Sequence, residues 1–229
     1  PEVGTLILRT VGDAASVLAH DAFIAEHSAS YWFVYEALAY WKRVLKRVDL
    51  TARSVFALIE PGHCFAGSLF ELTLAADRSY MLDDPEQPIE VRLSALNRGP
   101  LPMPNGLTRL ETRFLGDASA LETALAHDGG WDAVAAQDAG LVTLSPDDID
   151  REDEVRIAIE ERASLSPDAL TGMEANLRFA GPETLENKIF GRLSAWQNWI
   201  FQRPNAVGPE GALQRFGTGS RPSVDNKRV

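Results

Sequence analysis

The stretch from Ser54 to Asp77 constrains the fold most, because it reads as a buried strand, a tight small-residue turn and the start of a helix. Val55 to Ile59 is an apolar run that ends at Pro61-Gly62. An uninterrupted apolar run bounded by turn residues fits a strand covered on both faces. Ala66, Gly67 and Ser68 follow, small enough to bring backbone N–H groups close to whatever lies above the helix N-terminus. This is the layout of an anion-receiving turn.

Composition narrows the class without naming a function. A chain of 229 residues, 45% hydrophobic, can bury a substantial core, and no apolar run approaches the ~20 residues of a membrane span. A globular, soluble protein with no membrane partner is expected. The 33 acidic residues against 22 basic ones give −11, which disfavours a nucleic-acid partner. The single cysteine, Cys64, cannot form an intramolecular disulfide, and the residues present carry no basic-then-apolar leader, so a cytoplasmic location is expected. His20, His27, His63 and His127 show no metal-ligand spacing, and no metal is assigned.

Along the chain, Thr5 to Arg9 reads as a strand and Ala14 to Glu26 as a helix with Val17, Leu18 and Ala22 on one face. From about Ser30 to Val48 a stronger helix is predicted, with a buried stripe of Val34, Leu38, Trp41, Leu45 and Val48. Ser79 to Leu82 reads as a strand, Asp83 to Pro88 as a turn, and the proline-rich Gly99 to Gly106 as loop. Helices follow around Ala118 to His127 and Trp131 to Ala139, the latter closed by Gly140. Ser145-Pro146, Ser166-Pro167 and Gly181-Pro182 each announce a further helix by a cap before a proline. The polar, glycine-rich tail from Gly217 should be extended or poorly ordered unless it docks.

Several motifs carry a resemblance. Phe70-Glu71-Leu72-Thr73-Leu74-Ala75-Ala76-Asp77 resembles the x-Glu-Leu-Ala-Leu-Ala-x-Asp segment of the crotonase superfamily of enoyl-CoA hydratases and isomerases. Pro102 to Leu110 and Ala139-Gly140-Leu141-Val142 are similar to later motifs of that superfamily. Leu45 to Gly62, Glu174 to Glu183, Ile189 to Phe201 and Arg203 to Gly208 resemble the C-terminal half of a ring-opening lyase within it.

The resemblance implies an α/β fold: a crotonase-like ββα spiral core over 1–145, lacking its opening strands, and a helical C-terminal extension over 146–229. It also implies an aromatic CoA-thioester substrate that brings its own coenzyme A, so that no other cofactor is expected. The partners implied are an N-terminal catalytic half of the same protein and further copies in a homo-oligomer. By the same resemblance the Ser68 backbone N–H would help hold a thioester enolate, Glu71 would do acid–base work, and Asp77 would stand at the helix end.

Two segments depart from the pattern. Where the superfamily places its other oxyanion donor, this chain reads Thr10 to His20, with Gly12-Asp13 as a faint echo. Losing one such donor costs ~3 kcal/mol of transition-state stabilisation. Where many hydratases carry a second catalytic glutamate, this chain has Ala95-Leu96-Asn97. A mainly structural or site-covering half is therefore expected, the alternatives being a non-catalytic oligomerisation module or a self-sufficient enoyl-CoA hydratase or isomerase.

The sharp residues also have plain readings. Ser68 and Glu71 have the Ser-x-x-Glu spacing of a helix capping box, which needs no chemistry, against catalysis or ligand contact. Cys64 beside His63 reads as a buried turn cysteine before it reads as a nucleophile. Lys42, Arg43, Lys46 and Arg47 read as a solvated helix face, with a CoA phosphate as the alternative. Phe190, Trp196, Trp199 and Phe201 read as packing or a subunit interface before a stacking platform.

Overall fold

A computed structural model describes residues 3–178 and 180–227. The chain divides into two compact units: the larger comprises Ile7–Leu50 and Val55–Ile157, the smaller the residues before Ile7, Thr51–Ser54 and the chain from Ala158 onward. The expected boundary between 145 and 146 thus falls inside the larger unit.

In chain order the elements are β1 (Thr5–Leu8), α1 (Ala14–His27), α2 (Trp32–Asp49), β2 (Ser54–Ile59), α3 (Gly67–Leu74), β3 (Arg78–Met81), α4 (Arg109–Arg113), α5 (Ala118–Ala126), α6 (Ala133–Asp138), α7 (Arg151–Ala163), α8 (Pro167–Leu177), α9 (Leu185–Asn187), α10 (Ser194–Ile200), α11 (Pro204–Val207) and α12 (Ala212–Arg215). The sheet order is β1-β2-β3, and β2 pairs with β3 in parallel, Phe56 opposite Arg78 and Ile59 opposite Met81. Parallel neighbours need a crossover, which α3 supplies. Parallel bridges from Tyr80 to Leu144 and from Asp83 to Asp147 add the next turn of the winding. Strand and helix so repeat as a spiral of α/β class.

All six residues of β2 are buried, as parallel strands covered on both faces require. Ala57, Ile59, Phe65, Phe70, Met81 and Leu141 lie in the main core, while Leu45, Leu96 and Leu101 form a second cluster against which Leu38 and Trp41 pack. Asp77 joins the end of α3 to the start of β2: its carboxylate accepts the Val55 N–H at 2.6 Å, and its own N–H donates to the Val55 carbonyl at 2.8 Å.

Three local expectations need correction. The inward residues of α1 are Ala14, Val17, Leu18, Asp21 and Ile24, and Ala22 is exposed. Ser145-Pro146 starts no helix, because the Pro146 carbonyl accepts the Asp83 N–H and Asp147 caps a turn through Ile149 and Asp150; α7 begins only at Arg151. After Gly181-Pro182 the helix waits until Leu185, capped by Thr184, whereas Ser166-Pro167 opens α8 as expected.

In the smaller unit the buried Glu174 accepts hydrogen bonds from Ser54 Oγ (2.9 Å), Arg162 (2.7 Å) and Arg178 (3.1 Å). From Leu185 to Ile200 the chain is helical, with wider π-type turns at Lys188–Leu193, and α10 lies against α8. Leu185, Phe190 and Leu193 stay exposed, while Trp196 and Trp199 meet edge to face at 5.4 Å. The tail is extended and docks on its own unit through Asn205, which exchanges two hydrogen bonds with the Asp225 backbone.

Candidate functional site

The turn before α3 presents its backbone as the small residues dictate. Gly67 has φ +47°, a left-handed conformation that favours glycine, and its N–H donates to the Arg92 carbonyl at 2.8 Å. The next N–H, that of Ser68, faces the helix N-terminal opening where an anion is best stabilised.

The anion there is the chain's own Asp21. Its Oδ2 accepts the Ser68 N–H at 2.6 Å and the Ser94 hydroxyl at 2.6 Å, and the residue is 1% exposed. A Cβ at position 67 would stand 2.0 Å from that oxygen, so only glycine admits the carboxylate this close. Sequence reasoning missed Asp21. Its one signal was an acid on the inward face of an otherwise apolar amphipathic helix.

Ser68 and Glu71 do not form a capping box. The N-cap of α3 is Ala66, with no side-chain cap, so Ser68 is the second helical residue and Glu71 the fifth, too deep for the reciprocal bond. Glu71 instead points into the core, 1% exposed, with Oε1 accepting from Asn97 Nδ2 at 2.7 Å and Oε2 from Arg109 at 2.8 Å. Arg109, 2% exposed, also clasps Asp49 with two bonds of 3.0 and 2.6 Å, and donates to the Leu101 carbonyl. Two carboxylates share one guanidinium away from water. Burial pushes the Glu71 carboxyl above its ordinary value, against the opposing pull of Arg109 and Asn97.

Asn97 occupies the place where a second acid was sought. It braces Glu71 and the Gly67 carbonyl (2.9 Å) together, and its own Oδ1 accepts the Ser94 N–H, which fixes the amide's orientation. The Thr10 to His20 segment also spends its polar groups locally. Gly12 N–H donates to the Gly62 carbonyl, Thr10 Oγ1 accepts from the Cys64 N–H, and Asp13 caps α1 through Ala15 and Ser16. His63, whose burial lowers its pKa, accepts the Phe65 N–H on Nδ1, and Cys64 beside it is buried. Among the described residues no group of three His, Cys, Asp or Glu is placed to hold a metal ion. No helix among them is long and apolar enough to cross a membrane.

This spiral and its polar turn define the class. The fold is that of the crotonases: it superimposes on an enoyl-CoA hydratase/isomerase from Cupriavidus metallidurans CH34 with TM-score 0.66 and 21% identity, over 98% of this chain and 81% of that one. An enoyl-CoA hydratase from Bacillus anthracis superimposes with TM-score 0.63 and 15% identity, over 88% of this chain and 74% of that one. No family model matches the chain. In sequence it is similar to a segment of benzoyl-CoA-dihydrodiol lyase from Aromatoleum evansii, with 55% identity over all 229 residues. Those residues span 41% of the length of that relative.

Proposed function

We propose that this chain is the non-turnover half of a CoA-thioester lyase that opens the ring of 2,3-epoxybenzoyl-CoA with water. The products are formate and 3,4-dehydroadipyl-CoA semialdehyde, in aerobic benzoate degradation. The 55% identity to a benzoyl-CoA-dihydrodiol lyase supports the substrate class. Coenzyme A arrives as part of the substrate, and turnover belongs to the other half of the protein.

The observation that carries the division of labour is the Asp21–Ser68 contact. An enolate forming on a thioester needs N–H donors that are free and aimed at it. Here the donor is held by a carboxylate, which repels a second anion from the same place. Glu71 supports the same reading, since a general base must reach the proton it takes and both of its oxygens are engaged in the core. Ser68 and Glu71 thus act as structural residues, and this half shapes or covers the site of its neighbour.

Formate release from 2,3-epoxybenzoyl-CoA, assayed with the natural-length protein and with this chain alone, tests the reading. Activity is expected only in the former, and it should persist in full-length Asp21→Ala. Turnover by the chain alone at a comparable rate would overturn it.

A further inference from the structure

The junction of α1 and α2 carries more exposed aromatic surface than a solvated helix pair needs. Phe23, Tyr31, Trp32, Phe33, Tyr35 and Tyr40 are each half exposed or more, Trp32 to 78% and Phe33 to 69%. A solvated helix would carry charge where Trp32, Phe33 and Tyr35 stand. The rings are already ordered: Phe23, His27 and Tyr31 form a row with centroids 4.3 and 5.5 Å apart, and Trp32 meets Phe33 edge to face at 5.8 Å. Rings held in place lose little further freedom when something covers them. Towards its C-terminal end α2 turns basic. Tyr40, Arg43 and Arg47 share one line along the helix, all exposed, and Arg43 lies over the Tyr40 ring at 5.9 Å. The acids of α2 are Glu36 and Asp49, and Asp49 is engaged by Arg109 in the core, so this end of the helix stays cationic in a chain of net charge −11.

We infer that this surface is the seat of the remainder of the same polypeptide, which meets it with an apolar patch bordered by carboxylates. The inference rests on the reading of this chain as one half of a longer protein: its residues span 41% of the relative that they match, so in that relative more chain lies outside them than inside. An aromatic side chain buries about 150–250 Å² when covered, and interfaces between domains of one chain bury about 600–1,500 Å², a range that six such rings reach. The covalent link keeps the occupant at high effective concentration, so a contact of that size suffices. The basic end sets the charge of the occupant: carboxylates opposite Arg43 and Arg47 pair with cations, one of them already backed by an aromatic ring. A second copy of the same face of α2 would bring only Glu36 against two arginines, so charge favours a different surface.

Hydroxyl-radical labelling of the natural-length protein tests this, and its outcome does not depend on which half carries the chemistry. Trp32 and Phe33 should react about tenfold more slowly in the folded protein than in urea, whereas a ring left 78% exposed would react at nearly the unfolded rate. The protection should be the same at every protein concentration, because the contact is intramolecular. Phe33→Glu sets a charge in the apolar contact and should return Trp32 to the unfolded rate, with circular dichroism unchanged, since Phe33 is exposed on its own half. Arg43→Glu combined with Arg47→Glu should expose Tyr40, because the bordering carboxylates are then repelled. Trp32 labelled at the unfolded rate in the wild type would overturn the inference. So would protection that grows with protein concentration, which belongs to a second copy. Trp32 still protected in Phe33→Glu, or Tyr40 in the double reversal, would overturn it as well.

Discussion

The carboxylate of Asp21 on α1 accepts the backbone N–H of Ser68 on α3 at 2.6 Å, a long-range cap on a helix that has none of its own. A side chain from another element does what an N-cap Ser or Asp does locally, and it does so in a dry site where the charge and the helix dipole reinforce each other. The bond also links the first helix of the larger unit to the turn after its central strand.

Asp21→Ala should therefore destabilise the fold by about 1–3 kcal/mol, because two part-buried donors, the Ser68 N–H and the Ser94 hydroxyl, lose their acceptor. Asp21→Asn keeps one acceptor oxygen and should lose less. Thermal melts of the two variants check the order. An alanine variant as stable as wild type would mean that the carboxylate contributes nothing there.

Gly67→Ala tests the same contact from the other side. The new Cβ would lie 2.0 Å from Asp21 Oδ2 at a residue with φ +47°, so both a clash and a left-handed backbone penalty of about 1–2 kcal/mol apply. In an Asp21→Ala background only the backbone penalty and a closer approach to Ser94 remain. Urea melts of the double-mutant cycle should show coupling of about 0.5–3 kcal/mol. Strict additivity would mean that the two residues relax apart freely.

Local signals were the legible ones. The apolar run into Pro61-Gly62 gave β2 and its crossover, Ser166-Pro167 gave the start of α8, and Gly140, with φ +73°, ends α6 as a glycine should. Each rests on neighbours in sequence. The Ser68–Glu71 spacing misled because a capping box is defined by where the helix begins, and α3 begins at Gly67. Asp21, Asn97 and Arg109 were invisible as a group because only the tertiary fold brings them to the α3 turn. On α2 the apolar stripe was read correctly as the inner side, but only Leu45 of it is fully buried, and the surplus aromatic bulk faces out.

Glu71 should leave a signature in the pH dependence of stability. Its folded-state pKa is raised above the ordinary value near 4.5, so between that value and the raised one the native state keeps a proton that the unfolded chain has released. Stability contributed by this group is complete below the ordinary value and falls as pH rises through the raised one. Glu71→Gln should abolish that part of the slope. It should also destabilise the protein at every pH, since one amide N–H₂ must then face a donor, either Arg109 or Asn97. Equal slopes in wild type and variant, measured by denaturant melts across the acidic range, would assign the titration to another group.

Asn205 holds the tail. Its Nδ2 donates to the Asp225 carbonyl at 3.0 Å and its Oδ1 accepts the Asp225 N–H at 2.9 Å, a closed pair of bonds to one backbone residue twenty positions away. Asn205 is itself buried, so water competes poorly for either bond. A second tie, from the Ser223 N–H to the Glu210 carbonyl, lies next to it. Asn205→Ala removes both side-chain bonds, at about 0.5–1.5 kcal/mol each, from a segment that carries little other packing. The expected result is local: faster amide exchange at Asp225 and quicker proteolytic trimming beyond Gly217, with a small change in the global melt. Asn205→Asp keeps the acceptor but sets a carboxylate against the Asp225 carbonyl, so it should release the tail at neutral pH and hold it better in acid. Unchanged exchange at Asp225 in the alanine variant would show that the tail is anchored elsewhere.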